Sequence, residues 1–497
     1  MSGAPRRIVI VGRDAALWLA ACALQRALAG AGVRVTAIEL PTALGPASLY
    51  ASLPALEALH AKLGLEEATL LRATRGGMLL GYNIVAPRGG LPPFFLAHGG
   101  YGAPIQSGAF FPYWAKARRF GMDAALEDFS LTAMAARQGR MLLPDEATEA
   151  FGRTDYGYHL PALAYAGLLK GLAQRLGVAV RQAQAIATEH DGDTIRAVIT
   201  DGEPVTGDLF VDASGAEALL LGGALGVGRE DWRAHFPADR RLIALAPPFT
   251  SIPPYAEWRA GPAGWLAMHA TPGATHLALA YRAADLGDDD ALAAAASLSG
   301  LTPTAVSVQA VAPGIRDAFW RGNCVAIGAA ACAFDPLLDL DLHATQLGIV
   351  HLLSLFPAGA NFAAERVEYD RILRSHLLRL RDFQIAFHAL NRFAGEGFWA
   401  EARERALPDT VAHTIATFRA RGEIAPMEDE TFAPDQWQAL FVGLGEMPES
   451  WLPAIDRTPP ETMKQEFRRI LGFIKDKVLE QPTHDAYLAS IGRSAAA

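Results

Sequence analysis

Three carboxylates and one imidazole fall within nine consecutive residues of this chain: Asp335, Asp339, Asp341 and His343. Two carboxylates and an imidazole can ligate a divalent metal ion. Asp339 and Asp341, however, would face the same side only if this segment were extended. Carboxylates also suit the first turn of a helix that begins after them. We therefore expect helix capping here and no metal.

The elements that would position such side chains begin at the amino terminus. Arg7–Gly12 is a short β-branched run that ends in glycine, which is typical of a buried parallel strand. Residues 15–29 carry leucines and a tryptophan at helical spacing, and glycines end the pattern. Residues 33–39 predict a second strand that ends in an acid. Together they predict the opening βαβ unit of a dinucleotide-binding fold.

The pattern of an apolar strand closed by glycine returns twice, at residues 207–215 and 323–328. A helix predicted at residues 161–177 precedes the first of these strands. Between that helix and the strand, residues 178–187 and 194–200 resemble the two arms of a hairpin. Strands separated by helices and long insertions favour an α/β fold with a mostly parallel sheet.

The texture of the sequence changes after Arg366, where long helical periodicities rich in Arg, Glu and Phe begin. We expect residues 1–365 to form the α/β region. Substrate-facing segments would be inserted into it at roughly 85–150 and 216–320. Residues 366–497 are expected to form a mostly helical region that covers a substrate channel.

The composition limits the classes of function. The chain has 497 residues, of which 51% are hydrophobic and 20% charged, as in ordinary globular proteins. Its formal net charge of −9 argues against a nucleic-acid partner. No apolar run is long enough to span a bilayer. The three cysteines show neither metal-ligand spacing nor a disulfide framework, so we expect a cytoplasmic protein.

Several segments, taken in order, resemble the flavin-dependent tryptophan halogenases. The similar segments are residues 8–18 with a tryptophan near the start of the helix, 156–159, 207–215, 323–331, 334–337, 387–388, 398–399, 407–409 and Trp437. Their order and spacing along most of the chain carry the resemblance. It implies an FAD-dependent monooxygenase/halogenase-like fold.

The resemblance also identifies the turn that should hold FAD. The family's G-x-G-x-x-G appears here as Gly12, Arg13, Asp14, two alanines and Leu17. Asp14 would bring a negative charge to the helix end where the pyrophosphate belongs. Arg13 could partly compensate, and Asp14 could instead act as a helix N-cap without any ligand. We expect FAD binding to be weak or absent.

Four further positions match the family around the cofactor. Glu39 stands where the family's acid binds a ribose hydroxyl. Gly328 closes the third strand motif, and Asp335 with Pro336 follows it. These positions are therefore our candidates for what remains of a cofactor site.

The halogenating residues are replaced. The resemblance places Leu79 on the lysine that delivers the electrophilic halogen, and Leu338 on its partner acid. Leucine can neither donate a hydrogen bond nor form an N–halogen bond. The halide-binding stretch becomes Asp339, Leu340 and Asp341, which adds negative charge to an anion site. None of the family's catalytic residues is retained.

A tryptophan-containing motif that separates substrate from flavin in the family is also altered. It would begin at Trp265, while its second tryptophan is replaced by Ala267 and its Ile-Pro by His269 and Ala270. If flavin were bound, this loss could permit ordinary oxygenation. Trp265, His269 and His98 are candidates to line the former indole pocket, although buried histidines are more often structural.

Two classes of function stay open, and with them whether the chain is an enzyme. We favour a binding or partner protein that recognises an aromatic small molecule or a peptide, or that pairs with an active relative or a second copy of itself. The alternative is a flavin-dependent monooxygenase or halogenase with an altered site. It would act on an indole-like substrate or a peptide, using reduced flavin from a separate reductase.

Overall fold

The computed structural model describes residues 3–87, 90–106, 108–145, 148, 153–393 and 397–493. The chain divides into two compact units. The first comprises Met1–Thr74, Leu160–Arg233 and Val311–Arg379, and the second comprises Arg75–His159, Ala234–Ala310 and Leu380–Ala497. Among the described residues, no helix is both long enough and apolar enough to cross a membrane.

The first unit is built on a six-stranded sheet. Neighbouring strands are parallel, except that the first two in the spatial order given next are antiparallel to each other. In spatial order its strands are Trp320–Arg321, Cys324–Ala326, Leu209–Ala213, Arg7–Gly12, Arg34–Glu39 and Ala179–Gln182. Arg7–Gly12 lies in the interior of this sheet. Its side chains from Ile8 onward are buried, because a strand that is covered on both faces must be apolar throughout. The predicted parallel sheet is confirmed.

One strand pairing expected from the sequence is wrong. Ala179–Gln182 joins the parallel sheet beside Arg34–Glu39, as the return of a strand–helix–strand crossover requires. The hairpin arm that pairs with Thr194–Thr200 is Ala187–Asp191, and Glu203–Thr206 adds a third strand.

Helices and short strands complete the first unit. The helices are Asp14–Leu28, Ala55–Leu63, Glu67–Thr74, Ala162–Arg175, Asp341–Ser354 and the first part of Ala363–Leu390. The remaining strands are Leu49–Ala51 and a small antiparallel sheet of Arg229–Asp231, Gly314–Arg316 and Cys332–Ala333. The long helix Ala363–Leu390 begins near the predicted change of texture at Arg366.

The second unit contains a seven-stranded sheet that the sequence did not predict. In spatial order its strands are Thr304–Ala310, Arg240–Ala246, Thr275–Tyr281, Gly264–Ala270, Ala256–Gly261, Gly81–Val85 and Phe94–Ala97. Neighbours are antiparallel except Ala256–Gly261 with Gly81–Val85. The helix Asp288–Ser299 packs Ala291 and Ala295 into the apolar cluster formed on this sheet.

A further antiparallel pair in this unit joins Gly77–Leu79 to residues 157–159. The other helices of the unit are Phe110–Arg119, Leu131–Arg137, Phe398–Glu404, Asp409–Arg421, Pro434–Gly443, Pro460–Glu480 and His484–Arg493. The carboxyl-terminal part of the chain is therefore mostly helical, as predicted. Whether a domain boundary falls between residues 365 and 366 stays a prediction.

Candidate functional site

The turn between the first strand and the first helix keeps the backbone shape of a glycine-rich turn. A Cβ on Gly12 would lie 2.5 Å from the carbonyl oxygen of Ala213, so only glycine fits there. Two residues later, Asp14 has a φ of +58°, in the left-handed region that favours glycine. At the position of the motif's second glycine, an aspartate thus holds a left-handed backbone conformation.

The Asp14 carboxylate binds the loop that follows the second strand. It accepts hydrogen bonds from the Thr42 hydroxyl at 2.5 Å and from the Ala43 N–H at 3.2 Å. The N-cap residue of the helix is Arg13, whose side chain makes no capping hydrogen bond. Our interpretation of Asp14 as the N-cap was wrong, because Asp14 is the first helical residue and its carboxylate binds Thr42 and Ala43 instead.

Tyr50, to which the sequence analysis assigned no role, lies at the amino-terminal end of the same helix. Its hydroxyl lies close to the backbone of Ala15. Burial, and then the nearby carboxylates of Asp14 and Asp341, raise the pKa of Tyr50 well above its ordinary value, so the hydroxyl stays protonated.

The two charged side chains expected to face a cofactor are both paired inside the first unit. Glu39 accepts hydrogen bonds from Lys170 Nζ at 2.6 and 2.9 Å and from Gln182 Nε2 at 3.3 Å. Arg13 forms an ion pair with Glu217 at 3.3 Å. Engaging a cofactor through these side chains would therefore compete with existing interactions.

The third glycine motif also keeps its shape. Gly328 has a φ of +57°, and a Cβ there would lie 2.6 Å from Thr345 Oγ1. Asp335 is buried, and its Oδ1 accepts the N–H of Leu337 at 3.0 Å. Pro336 precedes the short 3₁₀ turn Leu337–Asp339.

The loop expected to hold halide contains two consecutive left-handed residues that are not glycine. Leu338 has a φ of +66° and Asp339 a φ of +49°. Leu340 then precedes the helix Asp341–Ser354. The loop thus holds a backbone conformation that these residue types rarely adopt.

His343 lies in the first turn of that helix and is buried. Burial, and then the nearby His376, lower its pKa to about 4, so the imidazole is neutral at pH 7. Within the described part of the chain, no three or more His, Cys, Asp or Glu residues are placed to hold a metal ion.

Leu79, which the sequence resemblance aligns with the family's lysine (the lysine position), lies in the second unit and is fully buried. Its strand, Gly77–Leu79, sets it directly opposite Gly157. The preceding residue is tied to the carboxyl-terminal helix, because the Met78 N–H donates to His484 Nε2 at 3.1 Å. The other ring nitrogen of His484 lies 2.9 Å from the Ile252 carbonyl oxygen. The lysine position is therefore part of a packed and anchored strand.

Two buried histidines lie beside this strand. His159, opposite Gly77, has its Nδ1 3.2 Å from the Ala270 carbonyl oxygen and its Nε2 3.3 Å from His269 Nδ1. Because a carbonyl only accepts, we assign the His159 proton to Nδ1 and let His269 Nδ1 donate to His159. Burial lowers the pKa of His159 well below its ordinary value, so it stays neutral.

The three predicted pocket residues lie in different surroundings within the second unit. Trp265 stacks on Trp258 with ring centroids 5.3 Å apart. Trp258 also contacts three other buried aromatic rings: Phe387, Phe393 and Trp399. Trp265 is thus part of an aromatic core, while His269, four residues later in the same strand, contacts His159.

His98 lies beside the strand of the lysine position. Its backbone N–H donates to Leu80 at 2.9 Å, and its ring meets Tyr82 edge-on at 5.7 Å. Burial, and then Arg153, lower the pKa of His98 to about 3. Like His159, it is a neutral interior imidazole at pH 7.

An α/β unit with a central parallel strand, glycines at two strand ends and a helical carboxyl-terminal region is the fold of the flavin-dependent halogenases. The chain belongs to the tryptophan halogenase family, whose family model matches residues 7–460. The sequence-based assignment to this family is confirmed.

Individual relatives agree over nearly the full length. Tryptophan 7-halogenase KtzQ from Kutzneria sp. is 25% identical, with 97% of this chain and 98% of the relative covered. The structure of BrvH, a flavin-dependent halogenase from Brevundimonas sp. BAL3, superposes with a TM-score of 0.92 at 30% identity, covering 98% and 99% of the two chains. Xcc4156, a flavin-dependent halogenase from Xanthomonas campestris, superposes with a TM-score of 0.92 at 28% identity, covering 98% of both.

Proposed function

We propose that this chain does not halogenate and acts as a binding or partner protein built on the halogenase fold. The observation that carries the proposal is the full burial of Leu79 at the position of the family's lysine. A leucine there cannot hold or transfer an electrophilic halogen. The partner acid is replaced by Leu338, which is also buried, so both members of the catalytic pair are apolar.

The halide position supports the same proposal. Asp339 and Asp341 add two carboxylates to a stretch that holds an anion in the family. At about 4 Å, two like unit charges repel by about 1 kcal/mol in water and by about 4 kcal/mol at an effective dielectric constant of about 20. Chloride or bromide would therefore bind weakly even if the backbone loop kept its shape.

The family is FAD-dependent, and the residues at the cofactor's pyrophosphate position do not fit that group. Asp14 brings a carboxylate to the helix end, where the Thr42 hydroxyl and the Ala43 N–H donate to it. Glu39 is paired with Lys170. We propose that FAD is not held in the usual way. In place of catalysis, the chain would recognise an aromatic small molecule or a peptide, or would pair with an active relative or a second copy of itself.

The test of this proposal is a halogenation assay. Wild-type protein is incubated with reduced FAD, bromide and either tryptophan or free indole, and products are separated by mass. We expect no brominated product above the protein-free control. Leu79→Lys and Leu79→Lys with Leu338→Glu should stay inactive too, because groups that act as a unit are not recovered singly. Brominated product from wild type would contradict the proposal.

The second candidate is a flavin-dependent monooxygenase acting on an indole-like substrate or a peptide. Gly12 and Gly328 keep the backbone shapes of the family's motifs, and a cleft of about 380 Å³ borders Arg13, Leu40 and Glu217. Flavin absorbance at one equivalent per purified chain would favour this candidate over the first. The three cysteines are buried and form no disulfide, which supports a reducing cytoplasm as the proposed location.

A further inference from the structure

We propose that two copies of this chain associate by pairing the edge strand Thr304–Ala310 of one copy with the same strand of the other. The seven-stranded sheet of the second unit would then continue from copy to copy. A second copy is among the partners of the proposed function, and the inference rests on that function only in this respect. The strand lies apart in sequence from the positions aligned with the family's reactive groups, so the two proposals can fail separately.

The edge of this sheet is open. Thr304–Ala310 pairs with Arg240–Ala246 on one side, and no described strand pairs with its other side. All seven of its residues are exposed. A register shift with the neighbouring strand lies toward the Thr304 end, and residues 307–310 keep a regular register. Such an edge presents backbone N–H and C=O groups with which another strand can pair.

The segment that contains this edge carries no charge. Residues 291–315 include most of the helix Asp288–Ser299 and the whole edge strand, and they contain no Asp, Glu, Lys, Arg or His, although 20% of the chain is charged. Natural proteins commonly protect an open edge with charged side chains or proline, and this strand has neither. Instead, the exposed fractions of Val306 and Val308 are 40% and 37%. The edge therefore lacks the protection that an unpaired edge usually has.

The absence of charge favours a second copy as the occupant. The chain has a formal net charge of −9, so two copies repel each other overall. Along an uncharged strand they can approach without bringing like charges together. Antiparallel pairing about a two-fold axis also lets one strand serve as its own partner. The exposed valines would add apolar contacts beside the new ladder.

The same arrangement separates the charges on the neighbouring strand. Arg240 and Arg241 lie opposite Ala310 and Gln309, at one end of the edge strand. In an antiparallel pair, the Ala310 end of one copy meets the Thr304 end of the other. The arginines of the two copies therefore lie at opposite ends of the shared ladder.

The test measures the mass of the full-length protein in solution by sedimentation equilibrium. The double variant Val306→Lys with Val308→Lys brings like charges to the edge of both copies. The matched control is Val367→Lys, because Val367 is also an exposed valine but lies in the helix Ala363–Leu390, in the part that belongs to the first unit. Circular dichroism checks that each variant folds.

We expect wild type to form a dimer of about 106 kDa, twice the chain mass of 53.0 kDa, and Val367→Lys to match it. The double lysine variant should raise the dimer Kd at least about tenfold, because like charges opposite each other destabilise a strand pair. Wild type that stays monomeric overturns the proposal. A dimer that the double lysine variant leaves intact, or that Val367→Lys weakens equally, overturns it as well.

Hydrogen exchange gives a second measurement that needs no variant. In wild type, the amides of residues 304–310 should exchange more slowly at high protein concentration than at low concentration, because the dimer pairs them. Exchange at these residues that does not depend on concentration would contradict strand pairing, even if the protein is dimeric. Bromination by wild type would instead refute the proposed function and would leave the proposed dimer standing.

Discussion

The Leu79→Lys variant tests whether the position aligned with the family's lysine is buried in this chain. The exposed fraction of Leu79 is 0%, as are those of its neighbours Met78 and Leu80. An ammonium placed there would lose its hydration, which costs several kcal/mol, so the introduced lysine would tend to lose its proton. We expect the free energy of unfolding to fall by about 3–5 kcal/mol at pH 7.

The pH dependence has a definite sign. Burial lowers the folded-state pKa of the introduced lysine below its unfolded value of about 10.4. The unfolded chain then binds more protons between these two pKa values, so stability rises with pH there. The full penalty applies below the folded pKa and disappears as pH approaches the unfolded pKa. The deficit relative to wild type should therefore be smaller at pH 10 than at pH 7.

Urea unfolding at both pH values measures the deficit, with Leu79→Met as the control. Methionine has a similar volume and no charge, so it should cost less than about 1.5 kcal/mol at either pH. A Leu79→Lys protein as stable as Leu79→Met at pH 7 would refute the reasoning. Its ammonium would then reach water or an anion, as a catalytic lysine must.

Three further changes probe the frame around the site. Gly12→Ala should lower the free energy of unfolding by about 3 kcal/mol in urea titrations, because its Cβ would clash with Ala213, whereas Gly30→Ala, with open space around it, should change little. Lys170→Met should cost about 1–2 kcal/mol in the same assay by leaving the Glu39 carboxylate without its ammonium; equal stability of the two proteins would show that the pair contributes nothing. Since burial lowers the pKa of His484, its unfolded form binds more protons below about pH 6.5, so stability should fall with acidification. His484→Gln, which can still donate and accept, should show a smaller drop in Tm between pH 7 and pH 5.

The core of the first unit could be predicted because three of its strands lie in apolar runs that end on glycine. Such runs indicate both a buried strand and the turn after it. The seven-stranded sheet of the second unit lacks those landmarks. Its strands Gly264–Ala270 and Thr275–Tyr281 are buried throughout, so they show no alternation of apolar and polar residues. A short apolar run of this kind cannot be told from a buried helix by periodicity alone.

The candidate site was predictable in its chemistry and less so in its contacts. The charge of Asp14 and the apolar character of Leu79 follow directly from residue type. The direction of the Asp14 carboxylate does not, because it depends on a φ that only the folded turn reveals. Lys170 was missed for a similar reason: its ion pair with Glu39 joins positions 131 residues apart and leaves no local pattern.

At these turns the backbone keeps an uncommon conformation, although the resemblance indicates that the family's side chains there have been replaced. Asp14, Leu338 and Asp339 all adopt left-handed conformations, each of which costs about 1–2 kcal/mol for a residue with a Cβ. A loop free to relax would escape that cost. The packing of the sheet and helices around both turns must therefore offset this cost. The residues at Asp14, Leu79 and Leu338 are thus accommodated without a change of fold, since the chain superposes on a flavin-dependent halogenase over nearly its whole length.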